Sequence, residues 1–378
     1  MDTTVFIRLL QDTMACTDKA TVKRIIRFQH ASDYRTFIQQ LPAVTSSSSP
    51  RKRIRQMNSI RAISCRLPAQ ETLEQFSGRI WIEKDCKISV HAGAQKSTFI
   101  DKGIPWGVNQ IKAPLAWSTT TGHRIKVGVI DTGVDFSHPD LYHSLSRGIN
   151  LMNRSMLPHD DNGHGTHIAG TIAAANQLQG MIGVAPRALI SPVKAFDHNG
   201  SAFVSDIILG IEWCIRNRMN VVNMSFGMKT KSKALLSAVI NAYNAGIIIV
   251  ASSGNDGKQR SVDYPARYPQ TISVGATNKL RRVAPFSNRG LFIDVYAPGD
   301  KIVSAWLRGK YNEMSGTSMA TSHVSGAIAL LLAHKPGLAP AEIKNIIKRS
   351  VQPLRGNKAR RTVGELDVMR MIQAVDKA

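Results

Sequence analysis

Acidic residues, cysteine and long apolar runs are scarce in this chain. Of 378 residues only 26 are Asp or Glu against 49 Lys or Arg, a formal net charge of +23. Such a surplus suits anionic partners. The clusters Arg51-Lys52-Arg53-Ile54-Arg55 and Lys358-Ala359-Arg360-Arg361 are short, however, and lie in no recognisable nucleic-acid fold, so they read as solvated surface and no specific nucleic-acid partner is expected. Three of the four cysteines, Cys16, Cys65 and Cys86, precede residue 100, which leaves Cys214 alone in the rest. A disulfide scaffold is thereby excluded for the C-terminal part, and a reducing compartment fits. No run is long enough for a membrane span. The first twenty residues carry acidic groups and no continuous apolar core, so they do not resemble a secretory signal; a cytoplasmic location is expected, with export as the alternative.

What is present is a set of three chemical blocks. Gly316-Thr317-Ser318-Met319-Ala320 opens an apolar, Ala-rich helical pattern, which places Ser318 where a loop becomes a buried helix. The unpaired N–H groups and positive end of such a helix stabilise negative charge beside the hydroxyl. A lone serine is a weak nucleophile and needs a base with an orienting carboxylate. Asp131 ends the apolar run Lys126-Val127-Gly128-Val129-Ile130, at the carboxyl end of a buried strand, where functional groups collect in parallel sheets. His164 lies in Asp161-Asn162-Gly163-His164-Gly165-Thr166-His167, just before a second helical pattern. Taken singly, Asp-Thr-Gly is a turn and Gly-Thr-Ser a helix start; taken together, in the order Asp, His, Ser, they form an acyl-transfer triad. His167, three residues beyond His164, suggests a metal pair on spacing alone but has no apparent third ligand.

With Gly183-Val184-Ala185-Pro186, Ser137-His138-Pro139-Asp140-Leu141 and Tyr264-Pro265-Ala266 added in order, the chain from about Gly107 onward resembles the subtilisin-like serine proteases, the subtilase family or peptidase S8. The resemblance implies a serine endopeptidase acting on protein or peptide substrates, with Asp131, His164 and Ser318 as triad and Asn255 as donor to the oxyanion. It also implies that Gly200, Ser201 and Ala202 on one side and Ser225, Phe226 and Gly227 on the other bind an extended substrate backbone, and that Ser253, Gly254 and Asp263 line the pocket for the residue before the scissile bond. Asp263 there would favour a basic side chain; a solvent-facing Asp263 is the competing reading. Calcium is the cofactor implied, held by Asp140 and the loop containing Gln177, although Lys102 stands where the family has a ligand. A weaker cation site falls at Ala266, Tyr268 and Asp294. No organic cofactor is implied, and a monomer is expected. A protease fold kept only for binding is the alternative class.

The pattern of elements predicts an α/β fold, a doubly wound, mostly parallel sheet, with strands over 126–130, 189–196, 220–224, 247–251 and 271–274 and helices over 205–218, 232–245, 318–334, 340–348 and 365–375. Before it, strands over 21–28, 60–67 and 80–90 with helices over 32–41 and 71–76 suggest a small α+β, ferredoxin-like domain. This succession resembles the inhibitor-I9-like propeptide of the family, which acts as folding chaperone and inhibitor, so residues 1–100 are read as a propeptide and 101–378 as the catalytic domain of a self-processing zymogen. A permanent regulatory domain is the competing reading. The stretch 92–100 is long for a propeptide end, which allows an earlier cut.

Overall fold

The computed structural model describes residues 2–15, 21–44, 54–68, 73, 76, 78–91, 95–97, 103–175, 180–355 and 363–377. Its centre is a seven-stranded sheet in the order Val295–Pro298, Thr271–Thr277, Ile248–Ser252, Val221–Met224, Lys126–Asp131, Leu189–Lys194, Ile149–Asn150, and every neighbouring pair is parallel. These strands read as near-continuous apolar runs because both faces are covered. Val127, Val129, Val221, Val250 and Val274 point into one core with the helices His164–Ala173 and Thr317–His334. Ile130, Val222, Met224, Ile249 and Ala251 point into the other, with Val204–Arg216 and Lys233–Asn244. The doubly wound architecture expected from the sequence is therefore present. Thr317–His334 is buried from Thr317 to Leu332, as a helix apolar on all sides must be. Its small residues permit close approach: a Cβ on Gly326 would lie 2.6 Å from that of Val184.

The edge strands Ile149–Asn150 and Val295–Pro298 were not foreseen, being only 2 and 4 residues long. The last helix is Val368–Asp376 rather than 365–375, because Glu365 is bridged to Gln352 and Tyr296 and the helix starts at the side-chain cap of Asp367 on Arg370 N, 3.1 Å.

The N-terminal part forms a four-stranded antiparallel sheet, Arg55–Met57, Ala62–Pro68, Thr21–Phe28 and Ile80–Lys84, covered by the helices Thr3–Ala15 and Ala31–Val44. The first helix was missed; Phe6, Ile7 and Leu10 at helical spacing bury into a cluster with Phe28, Phe37 and Phe76, and Phe6 meets the Phe76 ring at 5.0 Å. Of the helix expected over 71–76 only residues 73 and 76 fall within the described residues. The strand expected over 80–90 is two strands: Ile80–Lys84 stays in this sheet, whereas Lys87–Val90 leaves it for the catalytic part.

The break falls where two carboxylates cap two helices that pack on the seven-stranded sheet. Glu83 accepts from Ser232 Oγ at 2.5 Å and from Lys233 N at 3.1 Å, at the start of Lys233–Asn244. Asp85 accepts from Ser205 N at 3.0 Å, at the start of Val204–Arg216, and from Ser64 Oγ at 2.9 Å, with Lys23 Nζ at 3.2 Å. Both anions thus sit on the positive ends of helices whose first N–H groups lack intrahelical partners. Asp85→Ala should lower stability by about 1–3 kcal/mol. Denaturant unfolding measures this, and an unchanged midpoint would show that the cap holds nothing.

Candidate active site

His164 is the first residue of its helix, and its ring Nδ1 lies 2.7 Å from Asp131 Oδ1 with both side chains buried. The approach is set by the backbone. A Cβ on Gly165 would lie 2.1 Å from Gly133 O, and Gly165 N donates to Thr132 Oγ1 at 2.9 Å, so only glycine lets the helix start press on the end of the Asp131 strand. Asp160, which sequence reasoning missed, organises this loop: Oδ1 accepts from Asn162 N and Gly163 N, and Oδ2 from Thr166 N and Oγ1. His164 Nε2 has no hydrogen-bond partner among the described residues. His167 is not a metal ligand here: its Nε2 faces the carbonyls of Ile302 and Asn312 at 3.0 and 3.1 Å. Burial, followed by the nearby His164, depresses its pKa to about 3, which keeps it neutral.

Ser318 is the second residue of Thr317–His334, so its N–H lies in the unpaired first turn. Its Oγ is 3.0 Å from Ser225 O and 3.2 Å from His91 O. Asn255 Nδ2 donates to the same His91 carbonyl at 3.1 Å. The amide is aimed by Thr317, whose N and Oγ1 both donate to Asn255 Oδ1, at 2.9 and 2.8 Å. Gly316 leaves room for that carbonyl, since a Cβ there would lie 3.0 Å from His91 O and 3.1 Å from Asn255 Nδ2.

The carbonyl arrives on a strand of the chain itself. Lys87–Val90 is the middle of a three-stranded antiparallel sheet between Ser201–Phe203 and Phe226–Gly227. Val90 N donates to Gly200 O at 3.0 Å and His91 N to Ser225 O at 3.2 Å. Gly200, Ser201 and Ala202 and Ser225, Phe226 and Gly227 therefore flank one extended segment.

The His91 ring enters a pocket beside Gly227, where a Cβ would lie 2.5 Å from ring Cε1. Nδ1 is 2.7 Å from Ser252 Oγ and Nε2 is 3.2 Å from Asp263 Oδ2. Asp263 is 4% exposed, so it does not face solvent. Lys229 Nζ bonds its other oxygen at 2.7 Å and also pairs with Asp256. Burial alone would lower the Lys229 pKa, but these two carboxylates outweigh it and raise it; Asp256 is lowered, chiefly by its hydrogen bond from Lys229. Gly254, at φ 103°, keeps the opposite wall close, 2.7 Å from Asp263 Oδ2 to its hypothetical Cβ. Ser253 contributes backbone here, accepting from Asp263 N at 3.0 Å and from Asn288 Nδ2 at 3.1 Å. His91, Lys229 and Thr317 were missed; only the density of carboxylates around Asp256 and Asp263 hinted at a cation nearby.

Among the described residues no group of three His, Cys, Asp or Glu is placed to hold a metal. Asp140 Oδ2 accepts from Tyr311 Oη at 2.7 Å and Met181 N at 3.0 Å; Gln177 and Lys102 lie outside the described residues. At the second expected site lysines stand in the way of a cation. Asp294 pairs with Lys344 and Lys348, each at 2.9 Å, and Lys344 Nζ also donates to Thr271 O at 2.7 Å and Pro269 O at 3.1 Å. The residues at Asp294 thus do not fit a metal ion. Lys344→Met should cost about 1–3 kcal/mol by unpairing part of this network. Thermal denaturation measures it; an unchanged melting temperature would remove the ammonium as the anchor of the helix Pro340–Arg349.

Fold and site together describe a protein of the parallel α/β class with a serine at a helix start, a histidine fixed by a buried aspartate, and an amide aimed at a carbonyl. Comparison with known proteins agrees. Residues 122–365 match the model of the subtilase family. The chain is 46% identical over 249 residues to Subtilisin E of Bacillus subtilis (strain 168), covering 65% of each, and 46% identical over 249 residues to Subtilisin of Bacillus pumilus, covering 65% of this chain and 90% of that one. Identity to the Alkaline protease of Alkalihalobacillus alcalophilus is 39% over 285 residues, 75% of this chain and 72% of that protein. The chain belongs to the subtilase family. It spans just under two thirds of the length of Subtilisin E.

Proposed function

We propose that the chain is a serine endopeptidase made as a self-cleaving zymogen, with Ser318 as nucleophile, His164 as general base, Asp131 as its orienting partner and Asn255 as oxyanion donor. One observation carries this reading: the His91 carbonyl is within hydrogen-bond distance of both Asn255 Nδ2 and Ser318 Oγ, in a chain whose His164 is locked to Asp131. Ser318 Oγ attacks the His91 carbonyl carbon while His164 Nε2, free of other partners, takes the hydroxyl proton. The oxyanion is held by Asn255 Nδ2 and the Ser318 N–H. Collapse breaks the His91–Ala92 bond as imidazolium returns the proton to the Ala92 amine, and water then frees the His91 acid by the reverse steps.

The segment 1–91 then becomes a cleaved inhibitor, held by the strand Lys87–Val90. The boundary is accordingly moved from 100/101, which lies outside the described residues, to 91/92. Other extended peptides take the same place between the two edges by strand addition. Asp263 at the pocket base supports a hydrogen-bond donor before the scissile bond, and Lys229, already paired with it, argues against the Lys or Arg preference expected from the sequence.

Intact-mass analysis beside the Ser318→Ala variant tests the reading. The wild type should lose residues 1–91 and react with a serine-directed fluorophosphonate, whereas the variant should stay whole and unlabelled. Asn255→Ala should still be labelled but lose about 10²–10³-fold in kcat, a magnitude measured in this family. Both proteins whole and unlabelled would leave a binding role instead.

We propose calcium only as a structural ion at Asp140 and the Gln177 loop, with no part in the chemistry. Saturating calcium at about 100 times its Kd should stabilise the protein by about 2.7 kcal/mol. A melting temperature unmoved by a chelator would remove the ion.

A further inference from the structure

We infer that the pocket before the scissile bond is built for the imidazole of histidine, in preference to Lys, Arg or a large apolar side chain. This deepens the endopeptidase reading above and rests on it. The His91 ring uses both nitrogens. Nε2–H donates to Asp263 Oδ2, since a carboxylate can only accept, and Nδ1 exchanges a hydrogen bond with Ser252 Oγ. The ring is 11% exposed and Asp263 5%, so these bonds form away from water.

Lys229 decides against the longer cations. Its ammonium already occupies Asp263 Oδ1 and reaches Asp256, which leaves one oxygen of the pocket carboxylate for the substrate and shares a single positive charge between two carboxylates. An incoming Arg or Lys would set a second full positive charge beside that ammonium, whereas imidazole places one N–H on the open carboxylate oxygen and its other nitrogen on Ser252 Oγ. Phe or Leu would leave Ser252 Oγ and Asp263 Oδ2 without the partners that the His91 ring gives them. A site built to hydrogen-bond a substrate group discriminates strongly against analogues that lack it. Three residues upstream, Ile88 is 1% exposed and pairs with Ala202, which fixes the register that delivers the His91 ring to Asp263.

The test uses the self-cleaved enzyme and the peptides Lys-Ile-Ser-Val-X-Ala-Gly, with X as His, Gln, Lys, Arg, Phe or Leu and a fluorophore and quencher at the ends. Cleavage after X = His should exceed that of every other peptide by at least about tenfold in kcat/KM. Lys229→Ala should raise Arg and Lys relative to His by about tenfold or more, because Asp263 is then free to pair with them. Asp263→Asn, which keeps the shape and removes the charge, should erase that gain. Faster cleavage after Arg, Phe or Leu than after His in the wild type overturns the imidazole pocket and leaves the endopeptidase intact. If no peptide is cut and no fluorophosphonate label is taken up, the endopeptidase reading falls and this inference with it.

Discussion

A single backbone interaction organises the structure around its site: Lys87–Val90 is hydrogen-bonded on both sides, by Ser201–Phe203 and by Phe226–Gly227. Either edge alone would hold an extended peptide loosely, because its other side would face water. With both, the strand has one register, and that register fixes everything downstream. It puts Ile88 in the apolar core, the His91 ring on Asp263 and the His91 carbonyl between Asn255 and Ser318. A slip of one residue would turn each side chain to the opposite face and carry the carbonyl away from its donors.

The register does not have to be found by the strand alone. Glu83 and Asp85, a few residues upstream, sit on the starts of two parallel helices, and Arg27 and Arg55 bond Ser237 and Asp206 nearby. The N-terminal sheet is thereby docked at fixed points, the nearest of them Asp85 and Glu83, three and five residues before Ile88. Docking converts the binding of an extended segment into an intramolecular step with a high effective concentration. It also explains why the polypeptide leaves the small sheet at Asp85 and Cys86 instead of continuing as one strand to Val90.

Much of this was legible before any coordinates. The five central strands announced themselves as apolar runs, since burial on both faces leaves no polar alternation, and Asp131, His164 and Ser318 sat at the strand and helix ends where the fold delivers side chains. What was illegible depends on contacts distant in sequence. The run over 80–90 has uniform strand propensity, and nothing local says that its halves join different sheets. Thr3–Ala15 is short and mixed, so its helical face of Phe6, Ile7 and Leu10 gains meaning only against Phe28 and Phe37. His91 carries no motif at all. Its place follows from tertiary pairing 110 or more residues away, and that of Lys229 from Asp263, 34 residues on.

The lysines also alter how the +23 charge is understood. Several are not solvated surface but built-in counter-ions. Lys194 is 4% exposed and bonds Thr132 O and Asp161 Oδ1, both at 2.6 Å, beside the Asp131 strand end. Lys344 bridges two carbonyls and Asp294, and Lys229 joins two carboxylates at the pocket. Lys344 does what a bound metal could do, pairing with the buried Asp294 while satisfying two carbonyls, and does so from a covalent tether that no chelator removes. An ammonium differs from a metal ion in one respect that matters at Asp263: it spends a fixed position and a full charge on one side of the carboxylate. The basic surplus and the shape of the recognition pocket are therefore linked, since Lys229 leaves Asp263 with a single open oxygen.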